Sequence, residues 1–520
     1  MGEPHGCTKP SIVVEDHPTT MPSSLPLSGP TTGQPGSAVG GSEPEGGGAR
    51  DEALAGRPAP TTSRGTIPGS LLWTIGALSA TLVLAEAMVL TRYDQVDIRV
   101  YLAGASRLFS GTLYTGRTPG SGLLFTYPPI SALFFAPLSL VPLGVAEAVW
   151  ALVNVASLWL LLAVSLKAAR PSLARRAVVQ WSLILMGPAF VLDPVRLTFA
   201  YGQINLLLAA AILVDLTTTV RIGSRTLPRG VLTGLAAALK LTPLIFVPFL
   251  LLTRQTRAAV TATVTFVACG ALMSALAPGE SWAFWTRYLG STERIGRTFS
   301  WNNQSVASVL YRFHHRPVPT GVVVVVEVVI GVAGIALAVW AYRVSSPFLG
   351  ILVCAVTGLM VSPITWTHHI VWVVPVLAWM VLAEDRPRWG AVWALLGFAV
   401  FWWAPNWHQW ARGTTPLQEH GLQLIGGSGL FAAMLAFQGG IALMLLYRGQ
   451  ARAGDASTPV VVGSATGGPG GRGAGRGTPP GPPPSGPSPA GAVSTRPGPL
   501  RGRTGVGRTG AATPSRTRCW

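Results

Sequence analysis

Apolar runs of about 20 residues, the length that crosses roughly 30 Å of hydrocarbon, recur from Leu71 to Tyr447. A bilayer offers no water to backbone N–H and C=O groups, so a chain made of such runs must satisfy them internally, and runs of this length read as helices. The composition agrees. Of the residues, 49% are hydrophobic and 11% charged, against about 25% charged in ordinary soluble domains. The expected fold class is an all-α polytopic membrane protein.

Ten crossings are expected, over residues 70–90, 145–166, 177–193, 203–219, 258–277, 317–340, 347–363, 366–383, 389–404 and 423–447. Two further segments are ambiguous, so the total is expected at about 10–13. Residues 126–142 are short and carry Pro128, Pro129 and Pro137. Residues 230–253 are interrupted near Lys240 and Pro243, which suggests a broken hairpin, the irregular backbone that membrane proteins tolerate only where it lines a cavity. Lys and Arg in short loops resist translocation. The sets Lys167–Arg176, Arg221–Arg229 and Arg254–Arg257, with Arg343, Arg386, Arg388 and Arg448, therefore mark one face as cytoplasmic. The opposite, extracytoplasmic face then carries the loops 91–125, 278–316 and 405–422, and chemistry is expected there. Within the first of these, Val100, Tyr101, Leu102, Leu108 and Phe109 suit a short amphipathic helix at the interface.

The formal charge of +18 is not a nucleic-acid patch, because much of it lies beyond the last run, where ten Arg stand against one acid, Asp455. That segment, residues 448–520, is rich in Gly, Pro and Ser, as are residues 1–69; both are expected to be disordered cytoplasmic tails flanking a membrane domain of residues 70–447. A basic tail beside a span points to anionic membrane lipid as its contact. The four Cys are scattered without disulfide or metal spacing, and no cofactor is expected.

Polar residues inside or beside apolar runs are costly unless they serve something. Asp94 and Asp97 follow the first run; a carboxylate fixed there can act as a general base, or simply cap a helix. Tyr127 precedes Pro128 and Pro129 and suits a sugar-lining aromatic or an interfacial anchor. Arg196 can bind a phosphate or pair with Asp193. Gln203 and Asn205 offer amides to sugar hydroxyls or to neighbouring helices. Lys240 has no acid within ten positions, which suits an anion or snorkelling to an interface. Asn303 and Gln304 are read as substrate contacts or loop structure. His368 and His369, being adjacent, are not a metal pair at helical spacing; one can meet phosphate while the other packs.

Taken together, Asp97 with Val100-Tyr101, Tyr127-Pro128-Pro129, Gly202-Gln203-Ile204-Asn205, Lys240-Leu241-Thr242-Pro243, Asn303-Gln304-Ser305 and Ser362-Pro363 with Trp366, His368 and His369 resemble one pattern. It is similar to glycosyltransferase family 87, the polyprenol-phosphate-mannose-dependent mannosyltransferases, from about residue 70 to residue 447. The resemblance implies a GT-C fold with its active site at the extracytoplasmic surface of the cell membrane. It implies a polyprenyl-phosphate-mannose donor and a mannosylated lipid or lipoglycan acceptor, such as a phosphatidylinositol mannoside, lipomannan or lipoarabinomannan. It further implies inversion to an α-mannoside, usually α-1,2, with Asp97 as base and His368 or His369 near the donor phosphate. Transfer of another polyprenyl-linked sugar such as arabinofuranose is the alternative within that fold; a lipid or sugar transporter is the alternative outside it.

Overall fold

The computed structural model describes residues 68–456, apart from 93, 94, 297, 407–417 and 419. Asp94, most of the 405–422 loop and nearly all of both expected tails lie outside the described residues. The described chain is helical almost throughout. Its one sheet is a two-stranded hairpin, β1 (Arg221–Ile222) with β2 (Arg225–Thr226).

Among the described residues, five helices are long and apolar enough to cross a membrane: α1 (Gly69–Leu90), α4 (Leu143–Ala169), α10 (Thr256–Leu276), α13 (Thr320–Val344) and α18 (Gly429–Ala456). A sixth arises if α5 (Arg175–Phe190) and α6 (Asp193–Tyr201), bent by 82° at their junction, count as one span. Several other expected crossings are present as shorter apolar helices: α7 (Asn205–Thr217), α14 (Pro347–Val361), α15 (Val373–Leu382) and α16 (Gly390–Trp403). At 1.5 Å per residue helices of 10 to 15 residues reach only about 15–23 Å, below the thickness of the hydrocarbon layer. The polar breaks after Leu192, Gly202 and Val361 cut these runs short. Of these, α7 and α14 are strongly enclosed; every residue of α14 from Phe348 to Met360 is buried. The last helix continues to Ala456, past residue 447, where the expected membrane domain ends.

Residues 230–253 do form a helical hairpin. The rising limb is α8 (Val231–Leu239) and the returning limb α9 (Phe246–Leu252), joined through a 3-10 turn over Thr242–Ile245. Pro243 has no N–H to bond the Leu239 carbonyl and its ring would clash there, so α8 ends at Leu239 and Lys240 is extended (φ −150°, ψ 124°). Both limbs start and finish at one end of the molecule, where Arg229 Nη1 lies 3.4 Å from Gln255 Oε1. The stem is fastened by Asp215 of α7, whose carboxylate accepts from the backbone N–H of Gly230 (2.9 Å) and Thr233 (3.0 Å) and from the Thr233 hydroxyl (2.6 Å). This supplies the missing acceptors at the start of α8. Gly230 sits at φ +104° with a Cβ position only 2.2 Å from the Ala258 carbonyl oxygen, so no larger residue fits there.

The basic loops gather at that same end. Lys167 Nζ donates to the carbonyls of Pro171 (2.7 Å) and Leu173 (2.9 Å), Arg343 to Leu252 (2.7 Å), and Arg448 to Asp385 (2.8 Å) and Arg386 (3.1 Å). The tip of the hairpin, with Lys240, points to the opposite end. There α2 (Val96–Ser106) and α3 (Pro129–Phe135) pack on α4 and α6. The expectation that α2 lies in the interface on one apolar face is not met: Ile98, Val100, Tyr101, Leu102 and Ala105 are all buried, because α3 and α6 cover it.

Candidate active site

The hairpin tip, α2 and the loop before α15 enclose a cavity of about 300 Å³ at the end away from the basic loops. Asp97 lines it from the first turn of α2, whose start is held by Gln95 Nε2 donating to the Phe199 carbonyl of α6 (3.0 Å). Tyr127, Gln203 and Lys240 line a second wall, and Trp366, His368 and His369 a third. Two larger cavities exist. One of about 580 Å³ between α15, α16 and α18 is lined by apolar side chains such as Val376, Leu396 and Phe437. One of about 630 Å³ lies among the basic loops beside Lys167 and Arg229. Neither contains the residues that the motifs single out, so the smaller cavity is the candidate site.

The polar side chains of the cavity form a connected array. Tyr101 donates its hydroxyl to Gln203 Oε1 (3.0 Å), and its oxygen lies 3.1 Å from the Tyr127 hydroxyl. Lys240 Nζ donates to Asn205 Oδ1 (2.9 Å) and to His369 Nε2 (3.1 Å), and stands 5.6 Å from the centre of the Tyr127 ring. An ammonium has no lone pair, so Nε2 of His369 accepts and that imidazole is neutral with its proton on Nδ1. Asn205 Nδ2 donates to the His368 carbonyl (2.8 Å), which also accepts from the Thr198 hydroxyl (3.2 Å). His368 Nε2 is buried and makes no hydrogen bond among the described residues, while its ring meets Tyr201 edge-on at 5.4 Å. Both histidines line the cavity, rather than one facing it and one packing away.

Burial pushes the Asp97 carboxyl up to about 6; Gln203, which hydrogen-bonds it, and the nearby Lys240 ammonium pull the other way. A carboxylate with that value is ionised at neutral pH yet basic enough to take a proton from a hydroxyl. Position and basicity together fit Asp97 for proton abstraction.

Gly202 is what lets these pieces meet. It ends α6 in the left-handed region (φ +68°), with its Cβ position 2.8 Å from Ile98 of α2, and its carbonyl accepts from Trp150 Nε1 (2.8 Å). A side chain there would push α2, and Asp97 with it, away from Gln203.

Four residues expected to touch substrate, Arg196, Asn205, Asn303 and Gln304, do not line the cavity. Arg196 lies on α6, paired with Asp193 at 3.1 Å, and its side chain is 40% exposed. Asn303 is fully buried. Its Oδ1 accepts from the backbone N–H of Thr365 (2.8 Å) and Ser305 (3.2 Å), and its Nδ2 donates to Thr298 (2.8 Å). Gln304, equally buried, donates to the Trp301 (2.6 Å) and Gly427 (2.9 Å) carbonyls and accepts from Phe431 N–H (3.0 Å). Their hydrogen-bonding capacity is spent on backbone, which fastens the 300s loop to the segment carrying Trp366 and His368. Asn205 likewise acts from behind, through Lys240 and the His368 carbonyl.

Arg294 is the charged residue of the described cavity lining that the motifs missed; Tyr288 and Ser291 line it as well. The loop 278–316 carries five Arg against two acids, Glu280 and Glu293, so nothing in the sequence singled Arg294 out. Among the described residues no three His, Cys, Asp or Glu side chains gather where they could hold a metal ion.

The sequence profile of glycosyltransferase family 87 matches residues 125–363. One similar protein is the polyprenol-phosphate-mannose-dependent alpha-(1-2)-phosphatidylinositol pentamannoside mannosyltransferase of Mycobacterium tuberculosis. It is 34% identical over 304 residues, which cover 57% of this chain and 68% of the relative. A second is the polyprenol-phosphate-mannose-dependent alpha-(1-2)-phosphatidylinositol mannoside mannosyltransferase of the same species, 33% identical over 361 residues, or 64% of this chain and 82% of the relative. Its namesake in Mycolicibacterium smegmatis is 32% identical over 344 residues, or 60% and 76% of the two chains. No solved structure matches. Sequence likeness over most of the relatives' length, together with a multi-pass helical body that gathers the motif residues Asp97, Tyr127, Gln203, Lys240, His368 and His369 around one cavity, shows that the chain belongs to glycosyltransferase family 87.

Proposed function

We propose that this protein transfers a mannosyl residue from polyprenyl-phosphate-mannose to a hydroxyl of a mannosylated lipid. The acceptor is a phosphatidylinositol mannoside or a related lipoglycan, and the product an α-1,2 mannoside. The observation that carries this reading is the presence, in one cavity, of a carboxylate with raised basicity at Asp97 and a cation–imidazole pair at Lys240 and His369. The acceptor hydroxyl gives its proton to Asp97 as its oxygen bonds to the anomeric carbon. The bond from that carbon to the phosphate oxygen breaks on the opposite face, which inverts the configuration. The electron pair stays with the polyprenyl phosphate, whose growing charge Lys240 offsets. The unpartnered Nε2 of His368 is available to the phosphate or a sugar hydroxyl, and Tyr127 offers a ring and a hydroxyl to the sugar. The cavity opens on the extracytoplasmic side of the cell membrane, a placement supported by the basic loops at the other end.

Membranes containing the protein, supplied with radiolabelled polyprenyl-phosphate-mannose and a phosphatidylinositol mannoside, should yield a product that an α-1,2-specific mannosidase reverses. Absence of transfer from this donor, with turnover of another polyprenyl-linked sugar, would reject the mannosyl reading. A Cys placed at Gly120 should react with an impermeant thiol reagent in intact cells and one at Ser172 should not; the reverse pattern would invert the topology.

A further inference from the structure

Lys240 is not the only cationic side chain of the described cavity wall; Arg294 is the other. Arg294 belongs to a 3-10 turn, Thr292–Arg294, in the loop that closes the cavity over Trp366. Its guanidinium carbon lies 4.2 Å from the centre of the Tyr288 ring, and Nη2 donates to the Tyr114 carbonyl. No carboxylate of a described residue pairs with it; the ion pairs found there are Arg99–Glu147 and Arg196–Asp193. Stacking on an aromatic face plus one backbone acceptor fixes the plane of the fork and leaves its remaining donors for a ligand.

The charges of the cavity then show a deficit. Among the described residues Asp97 supplies the only carboxylate of the lining, against two cations, and His369 is neutral because it accepts from Lys240. One negative charge is missing, and a phosphodiester brings one. When the sugar departs, the phosphate becomes a monoester and gains a second. Lys240 is poorly placed to meet both alone, since two of its three protons are already given to Asn205 and His369. A held guanidinium presents paired donors that match two phosphate oxygens.

We infer that Arg294 grips the lipid-linked phosphate of the donor and takes up the charge that appears on it as the sugar leaves. This rests on the proposed function for its reaction, but its contact is with a phosphate on an isoprenoid lipid whatever sugar that phosphate carries. In the balanced step the anomeric carbon–oxygen bond breaks, its electron pair remains on the phosphate facing Arg294 and Lys240, and the proton of the acceptor hydroxyl passes to Asp97. The same chemistry is offered by the phosphodiester of an inositol-lipid acceptor, so the test separates the two.

The full-length protein in nanodiscs should be titrated directly with a short-chain prenyl phosphate, the matching prenyl alcohol and a phosphatidylinositol mannoside. Wild type should bind the phosphate more tightly than the alcohol. Arg294→Gln should weaken the phosphate by about tenfold or more, Arg294→Lys should recover part of it, and acceptor affinity should stay within about threefold. In transfer assays of a folded variant, kcat should fall while KM for the acceptor holds. Unchanged prenyl phosphate affinity in Arg294→Gln, or wild type binding alcohol and phosphate alike, would overturn the inference. A loss confined to the acceptor would move Arg294 to the acceptor's phosphate instead. Failure of wild type to transfer mannose, with Arg294-dependent prenyl phosphate binding intact, would reject the mannosyl reading alone.

Discussion

Two polar clusters lie close together at one end of this molecule, built from the same kinds of residue, and they behave oppositely. Around Asn303, Gln304, Arg312 and Ser428 every side chain is spent internally. Arg312, wholly buried on α12 (Val306–His314), donates to the Ser300 and Asn303 carbonyls (both 3.0 Å), to the Ser308 hydroxyl (2.8 Å) and to Ser428 (3.2 Å). Around Asp97, Lys240 and His368 the array has loose ends: a carboxylate facing a cavity, an ammonium with a donor to spare, and an imidazole nitrogen with no partner. A saturated buried network stiffens the protein, whereas an unsaturated one beside a cavity waits for a ligand. The first cluster is thus the clamp and the second the site that it steadies, joined through the Asn303–Thr365 and Gln304–Thr365 hydrogen bonds.

The comparison breaks most visibly at Asp97. Asp97→Asn keeps the shape of the side chain but cannot take a proton, and a general base contributes about 10²–10⁴-fold, roughly 3–5 kcal/mol. Transfer in isolated membranes should nearly vanish with protein level and melting temperature unchanged; retention of more than about a tenth of the activity would move the base elsewhere. The clamp should fail in the other manner. Arg312→Met strands several buried carbonyl and hydroxyl oxygens and should cost about 2–3 kcal/mol of stability, read as a lowered melting temperature, with transfer per folded molecule within about threefold. Lost transfer at unaltered stability would mean that the two clusters are wrongly separated.

The pH dependence should be smaller still. Because burial holds the Asp97 carboxyl near 6, the ionised base predominates above that pH and is lost as pH falls through it. Transfer should therefore rise to a plateau above about pH 7 and be about tenfold lower at pH 5. Gln203→Leu, which removes a hydrogen bond favouring the ionised form, should shift the midpoint upward; a flat profile from pH 5 to 8 would contradict the assignment. The smallest effect belongs to Arg196→Ala. With Arg196 partly exposed and paired to Asp193 outside the cavity, transfer should change by less than about threefold, since such pairs are worth about 0–1 kcal/mol. A larger loss would bring Arg196 back to the substrate.

The sequence by itself determined the solvent, the helices and which end of the protein is basic. A hydrocarbon layer forces long apolar runs into helices, and cations resist crossing it, so α1, α4, α10, α13 and α18 and the basic end formed by Lys167, Arg229, Arg343 and Arg448 were readable from local composition. The break at Lys240 was readable too, because Pro243 cannot supply the hydrogen bond that the preceding helical turn would need. The length of the crossings was less legible. Enclosed helices such as α14 need not reach across the hydrocarbon by themselves, and hydropathy does not record what surrounds a helix. Only the tertiary structure sorted the polar residues. Asn205 and Asn303 look alike in sequence, yet one braces Lys240 and the His368 carbonyl, 163 positions away, while the other is consumed by Thr365, 62 positions away. Gln304 resembles Gln203 but is sealed, and Arg196 and Arg294 are equal as letters while only Arg294 lines the cavity. Whether a polar side chain binds substrate or backbone depends on which distant segments have already satisfied its donors and acceptors, and that is settled only when those segments pack together.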